Sequence, residues 1–190
     1  MVKSFPIAFS PLGYAVRGLV LGAGFFLLLL AGCATPATPG AAPKELAGRL
    51  RALSPKVDER EAVLAAETAC ACSLELARQY RVVRPAILHN VLVNTGLRQR
   101  GLCFQWADDL SARLKSLELR TLEVRRGVAR LETRREHSSV VLTAPGQVFE
   151  EGIVLDAWRH SGRLCWCGVT KDKYPWIEVE VVADGDVRSR

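Results

Sequence analysis

Apolar positions from Lys44 to Tyr80 recur every three to four residues, the spacing of one face of an α-helix. Leu46, Leu50 and Leu53 predict a short helix over 44–53. Val63, Leu64, Ala71, Leu74 and Leu76 predict a longer one over 58–80. Pro85 suits the first turn of a third helix, with Ile87, Leu88, Val91 and Leu92 as its apolar positions and Gly96 closing it. Gly101 breaks the chain, and a fourth helix starts at Cys103, with Phe104, Ala107, Leu110, Leu114 and Leu117 on its apolar side. Beyond it the pattern becomes alternating or β-branched. Segments 117–124, 138–143, 153–157 and 177–182 therefore predict strands, with Pro145-Gly146 and Gly152 as turns. Helices followed by an antiparallel sheet make an α+β fold.

The N-terminus follows a different rule. Lys3 and Arg17 precede an uncharged stretch from Gly18 to Leu30 that ends in Phe25-Phe26-Leu27-Leu28-Leu29-Leu30. That stretch is short for a membrane-spanning helix and has the length of a signal-peptide core. Leu30-Ala31-Gly32-Cys33 follows, and it resembles the lipobox of bacterial prolipoproteins. The resemblance implies an export signal over 1–32 and a membrane partner reached through lipid on Cys33. Several acyl chains hold far more firmly than one. An uncleaved N-terminal anchor is the alternative. Residues 33–43 are small and Pro-rich, which suits a tether, and the remaining 44–190 form one domain. Enterobacterial lipoproteins kept in the inner membrane carry Asp after the lipid-bearing cysteine. Here Ala34 stands in that place, so the same resemblance implies the outer membrane, facing the periplasm.

Composition narrows the partners. The chain has 190 residues, 49% hydrophobic and 24% charged, as an ordinary globular protein does. Its net charge is +6, of which Lys3 and Arg17 in the leader supply two. Arg125, Arg126, Arg130, Arg134 and Arg135 are the densest basic cluster, but Glu132 interrupts it and no aromatics are interleaved. That pattern argues against nucleic acid as a partner.

Candidate chemistry lies in three segments. Gly101-Leu102-Cys103-Phe104-Gln105-Trp106 places a cysteine in the first turn of a helix, where open backbone N–H groups stabilise a thiolate. Glu136-His137-Ser138 places a histidine at the mouth of a strand, and Leu155-Asp156-Ala157 an aspartate at the far end of another. Nucleophile, base and orienting carboxylate are the three roles of cysteine acyl transfer. His160 is a rival base, but Arg159-His160-Ser161-Gly162 reads as a turn. In this order, Cys103, His137 and Asp156 resemble the transglutaminase-like cysteine peptidases of the papain-like superfamily. The resemblance covers roughly 96–176. It implies a papain-like core, Cys103 as nucleophile, His137 as base, Asp156 as orienting acid, and a thioester formed on a peptide or side-chain amide, cell-wall peptides included. It requires no cofactor or metal. Gln99 loosely resembles the oxyanion glutamine of papain, and the Cys103 backbone N–H is the other oxyanion candidate. Trp106, Trp158 and Trp166 read as groove walls or core aromatics. A lipid-anchored binding or assembly protein on the same fold, without turnover, is the competing reading.

Cys70-Ala71-Cys72 and Cys165-Trp166-Cys167 remain. An oxidising periplasm favours disulfides. Residues two apart on a helix diverge, so one bridge from the Cys70/Cys72 helix to the Cys165/Cys167 strand is the simplest arrangement. Buried free thiols and a zinc site are the alternatives, although Cys-x-Cys fits usual zinc spacing poorly.

Overall fold

The computed structural model describes residues 41–181 and 187–189. The expected export signal, Cys33 and the expected tether up to residue 40 lie outside the described residues. Four helices come first: α1 (Ala41–Arg51), α2 (Glu59–Gln79), α3 (Ala86–Asn94) and α4 (Cys103–Lys115). Strands β1 (Glu123–Ala129), β2 (His137–Thr143), β3 (Ile153–Asp156), β4 (Cys165–Gly168), β5 (Trp176–Val181) and β6 (Val187–Ser189) follow. They form one antiparallel sheet in the order β4-β3-β2-β1-β5-β6. The architecture is α+β. The end of the predicted tether is helical, because Pro43 is tolerated within a helix's first turn.

Asp58 caps α2 by accepting from the N–H groups of Arg60 and Glu61. Alanine dominates the buried side of this helix: Ala62, Ala65, Ala66 and Ala69 are fully enclosed. Val63, Leu64 and Leu74, predicted to point inward, are 39%, 44% and 48% exposed. The reason is space. α2 packs against both α1 and α4, and small side chains let helix backbones approach. The helix-side core adds Leu46 and Leu50 of α1, Leu110 and Leu114 of α4, and Val140, Leu142, Ile153 and Leu155 of the sheet.

The first strand begins later than its apolar pattern predicts. Residues 117–122 form an irregular loop, and β1 continues into Arg125 and Arg126, which a two-residue period would place outside a strand. Each arginine is neutralised in place. Arg125 pairs with Glu123 at 2.7 Å and Arg126 with Asp108 of α4. β2 is buried along its whole length because helices cover one face and a second cluster covers the other. That cluster gathers Ala129, Val141, Phe149, Val154, Val169 and Trp176. It places aromatic residues beside the N-terminal end of β2, where His137 stands.

Candidate active site

The loop before α4 sets the cysteine. Gly101 has φ +128°, a conformation that favours glycine, and a Cβ there would lie 2.2 Å from His89 Nε2. His89, buried in α3, clamps this loop: its Nδ1 accepts from the Val83 N–H at 3.2 Å, and its Nε2 donates to the Arg100 carbonyl at 2.9 Å. Trp106 adds a second tie, donating from its indole to the Gly101 carbonyl at 2.9 Å. The Gln105 carboxamide oxygen accepts from the N–H groups of Gly101 and Leu102, at 2.7 and 3.0 Å. The N–H of Cys103 lies outside this clasp, at the open end of α4. Gly101→Ala is expected to cost at least about 2 kcal/mol, because backbone strain and steric overlap add. Urea denaturation measures it.

Cys103 is therefore the first residue of α4, His137 the first of β2 and Asp156 the last of β3. The sheet brings the second and third together: His137 Nε2 and Asp156 Oδ2 are 2.7 Å apart in a buried hydrogen bond. With Nε2 engaged, Nδ1 is the ring nitrogen that remains, and it is buried without a hydrogen-bond partner. The Cys103 sulfur lies 3.8 Å from the carbonyl oxygen of Glu136, the residue before the histidine. Cys103 is partly exposed, so a substrate can reach it. Its neighbour Phe104, predicted as core, is 46% exposed beside it.

Burial disfavours the imidazolium of His137. Its hydrogen bond with Asp156, with the negative charge of Asp156 and the neighbouring Cys103, outweighs that and raises its pKa to about 9. Burial likewise opposes ionisation of Asp156, but the hydrogen bond and charge of His137 and the Arg159 guanidinium hold it below the usual carboxylate range. A raised histidine pKa stabilises the fold fully below its ordinary value of 6.5 and loses that contribution as pH rises through about 9. Stability is expected to fall across that interval by up to about 3 kcal/mol. The loss should vanish in His137→Phe, read by denaturation at pH 6 and pH 9.5.

Three rings enclose the imidazole: Trp158, Tyr174 and Trp176, with centroids 4.8, 4.9 and 5.3 Å away. The Trp158 indole donates to Asn90 Oδ1 at 3.0 Å. Behind Asp156 lies a second, unforeseen set of charges. The Arg159 backbone N–H donates to Asp156 Oδ1 at 3.0 Å and its Nε to Oδ2 at 2.9 Å. Its two terminal nitrogens reach Asp172 at 3.0 and 2.6 Å, and Asp172 accepts from the Trp176 indole at 2.9 Å. The predicted turn over 159–162 is present and aims Arg159 back at Asp156. A local signal existed in the three-residue separation of the two. Nothing local pointed to Asp172.

Other expected residues fall elsewhere. Gln99 is exposed in the loop before Gly101, and among the described residues no hydrogen bond joins it to Cys103 or His137. His160 lies in the turn after Trp158. Trp106 and Trp166 belong to the helix-side core. The bridge expected from the Cys70/Cys72 helix is absent, since both carry free thiols. Cys72 faces α4, bordering a hollow with Asp109, Ala112 and Arg113, while Cys165 pairs with Asp156 in the sheet. Burial raises Cys70 to about 11 and also raises Cys72. Among the described residues no group of three or more His, Cys, Asp and Glu side chains is arranged to hold a metal ion.

A cavity of about 900 Å³ opens between α4, β1 and β5, but it contains none of the three residues. Compared with models of known protein families, with curated protein sequences and with solved structures, the chain has no match.

Proposed function

We propose that this chain is an outer-membrane-anchored periplasmic lipoprotein carrying a thiol hydrolase or acyltransferase site on a papain-like, transglutaminase-like core. Its substrates are peptide or side-chain amides, and cell-wall peptides are the class that location offers. The observation that carries the reading is the buried His137–Asp156 hydrogen bond, 2.7 Å long, which leaves the other ring nitrogen to a cysteine at a helix N-terminus. In the reaction, the Cys103 thiolate attacks the amide carbon and a C–S bond forms. His137 delivers its proton to the amide nitrogen as the C–N bond breaks, which releases an amine and leaves a thioester. Water or a second amine then gives up a proton to His137, attacks the thioester and frees the thiol. The charge on the carbonyl oxygen develops beside the open end of α4, where the Cys103 N–H is the available donor.

The test uses the full chain expressed in a bacterium supplied with an alkyne-bearing palmitate. The expected result is a labelled, processed protein, and Cys33→Ser is expected to stay unlabelled at precursor mass. Purified with its lipid and mixed with cell-wall stem peptides, the protein should gain an acyl mass on Cys103 after acid quenching. Hydroxylamine should remove that mass, and Cys103→Ala should never acquire it. Labelling without an acyl adduct would remove the enzyme reading and leave the lipoprotein standing. An adduct without labelling would do the reverse.

A further inference from the structure

The segment between α2 and Cys103 is spent on something other than the core. From Arg81 to Leu102 it contains Arg81, Arg84, Arg98 and Arg100 and no acidic residue. Its helix, α3, meets the body through buried Ala86 and His89. The apolar residues expected to face inward face out instead: Ile87 is 63% exposed, Leu88 44% and Val91 51%, and Leu97 in the following turn is 66% exposed. Ile87, Leu88 and Val91 stand one and four residues apart, on one side of the helix. The cations are held beside them. Arg98 donates from Nη1 to the Leu97 carbonyl at 2.8 Å and from Nε to the Arg81 carbonyl at 3.4 Å, which joins the two ends of the excursion. Arg100 is neutralised by Asp109. Among the described residues no salt bridge holds Arg81, Arg84 or Arg98.

Water gains nothing from this arrangement. Several large apolar side chains on one short helix cost hydration, and uncompensated arginines beside them discourage contact with another basic protein surface. Both features suit a surface with negative charge above hydrocarbon. We infer that α3 and its flanking turns dock on an anionic lipid surface, with Ile87, Leu88, Val91 and Leu97 entering the interface and Arg81, Arg84 and Arg98 meeting the headgroup phosphates. The contact lies immediately before Cys103 in the chain, so docking would hold the mouth of the thiol site close to the membrane. The inference does not depend on that site being active.

Hydroxyl-radical footprinting of the full chain tests it. The protein is reconstituted on vesicles of phosphatidylcholine alone or with about a third phosphatidylglycerol. The lipid on Cys33 should hold the processed chain on both, so only contacts that require negative charge distinguish them. Oxidation of Ile87, Leu88, Val91 and Leu97 is expected to fall at least about fivefold on the anionic vesicles, while Val148, 57% exposed, keeps its rate. Arg81→Gln with Arg84→Gln should restore most of the lost rate, as should about 0.5 M salt, because exposed charges are screened. Ile87→Ser with Val91→Ser, changes at exposed positions that leave the core intact, should weaken protection of Leu88 and Leu97. Equal rates on both vesicle types would overturn the inference, and so would an equal fall at Val148. Protection that rises with protein concentration without vesicles would overturn it in favour of contact between copies of the chain.

Discussion

Iodoacetamide is expected to alkylate Cys103 well ahead of every buried thiol in the chain, and His137→Ala to slow that reaction at least about tenfold. Two features of the site drive the expectation. α4 begins at Cys103, so the sulfur sits where unpaired helix N–H groups favour negative charge. The imidazole beside it stays protonated to about pH 9, because the hydrogen bond and charge of Asp156 outweigh the burial imposed by Trp158, Tyr174 and Trp176. A cysteine beside a positioned imidazole can pass its proton to the ring as the sulfur attacks. Cys70 and Cys72 give a clean background, since burial keeps both protonated at neutral pH. Turnover should disappear in Cys103→Ala and fall by about 10²–10⁴ in His137→Ala, the usual worth of positioned acid–base catalysis. Asp156→Asn should fall by less, because the amide can still hold the ring. Peptide mapping with timed quenching reads the alkylation rate directly. A Cys103 rate indifferent to His137→Ala would make the cysteine a packing residue and leave the site to binding.

The candidate triad was legible because each member stands where an element starts or stops. Gly101 ends one run before Cys103, and period-two patterning starts at His137 and stops at Asp156. Burial direction was less legible. In α2 and α3 large apolar residues suggested a core face, yet the core takes alanines and His89, and it leaves Leu64, Leu74 and Ile87 outside. Hydropathy reports the transfer free energy of a side chain. It does not report how closely two helix backbones must approach. β1 hid for the opposite reason, since Arg125 and Arg126 look like surface until Glu123 and Asp108 are placed beside them. The Cys-x-Cys pairs suggested a bridge from chemistry alone, whereas Cys72 is committed to α4 and Cys165 to the sheet. Gln99 and Gln105 show how little spacing decides. Both lie within four residues of Cys103, and only Gln105 folds back onto the loop.

Arg159→Met should be the most destabilising single change in the domain's polar interior, by about 3–5 kcal/mol, the cost of stranding a buried charge. The guanidinium is 9% exposed and stands between two carboxylates, Asp156 and Asp172, whose side chains are each 1% exposed. Burial pushes both acids toward protonation, and hydrogen bonding together with the charge of Arg159 reverses that and holds both below their ordinary range. Depressed acids contribute stability above their unfolded pKa, near 4, and lose it as pH falls through the folded value. Without Arg159 the burial penalty acts with much less opposition, so the variant should gain protons where the wild type resists them. The stability gap is therefore expected to be widest at pH 7 and to narrow toward pH 4, as measured by urea denaturation at both. Adding Asp172→Leu to Arg159→Met should recover part of the loss at pH 7, since one stranded carboxylate is removed with its partner. The recovery would be incomplete, because the Trp176 indole then loses its acceptor. A gap below about 1 kcal/mol, or one that does not change with pH, would mean that Asp156 is kept ionised by His137 alone. Arg159 would then have no part in holding the imidazole toward Cys103.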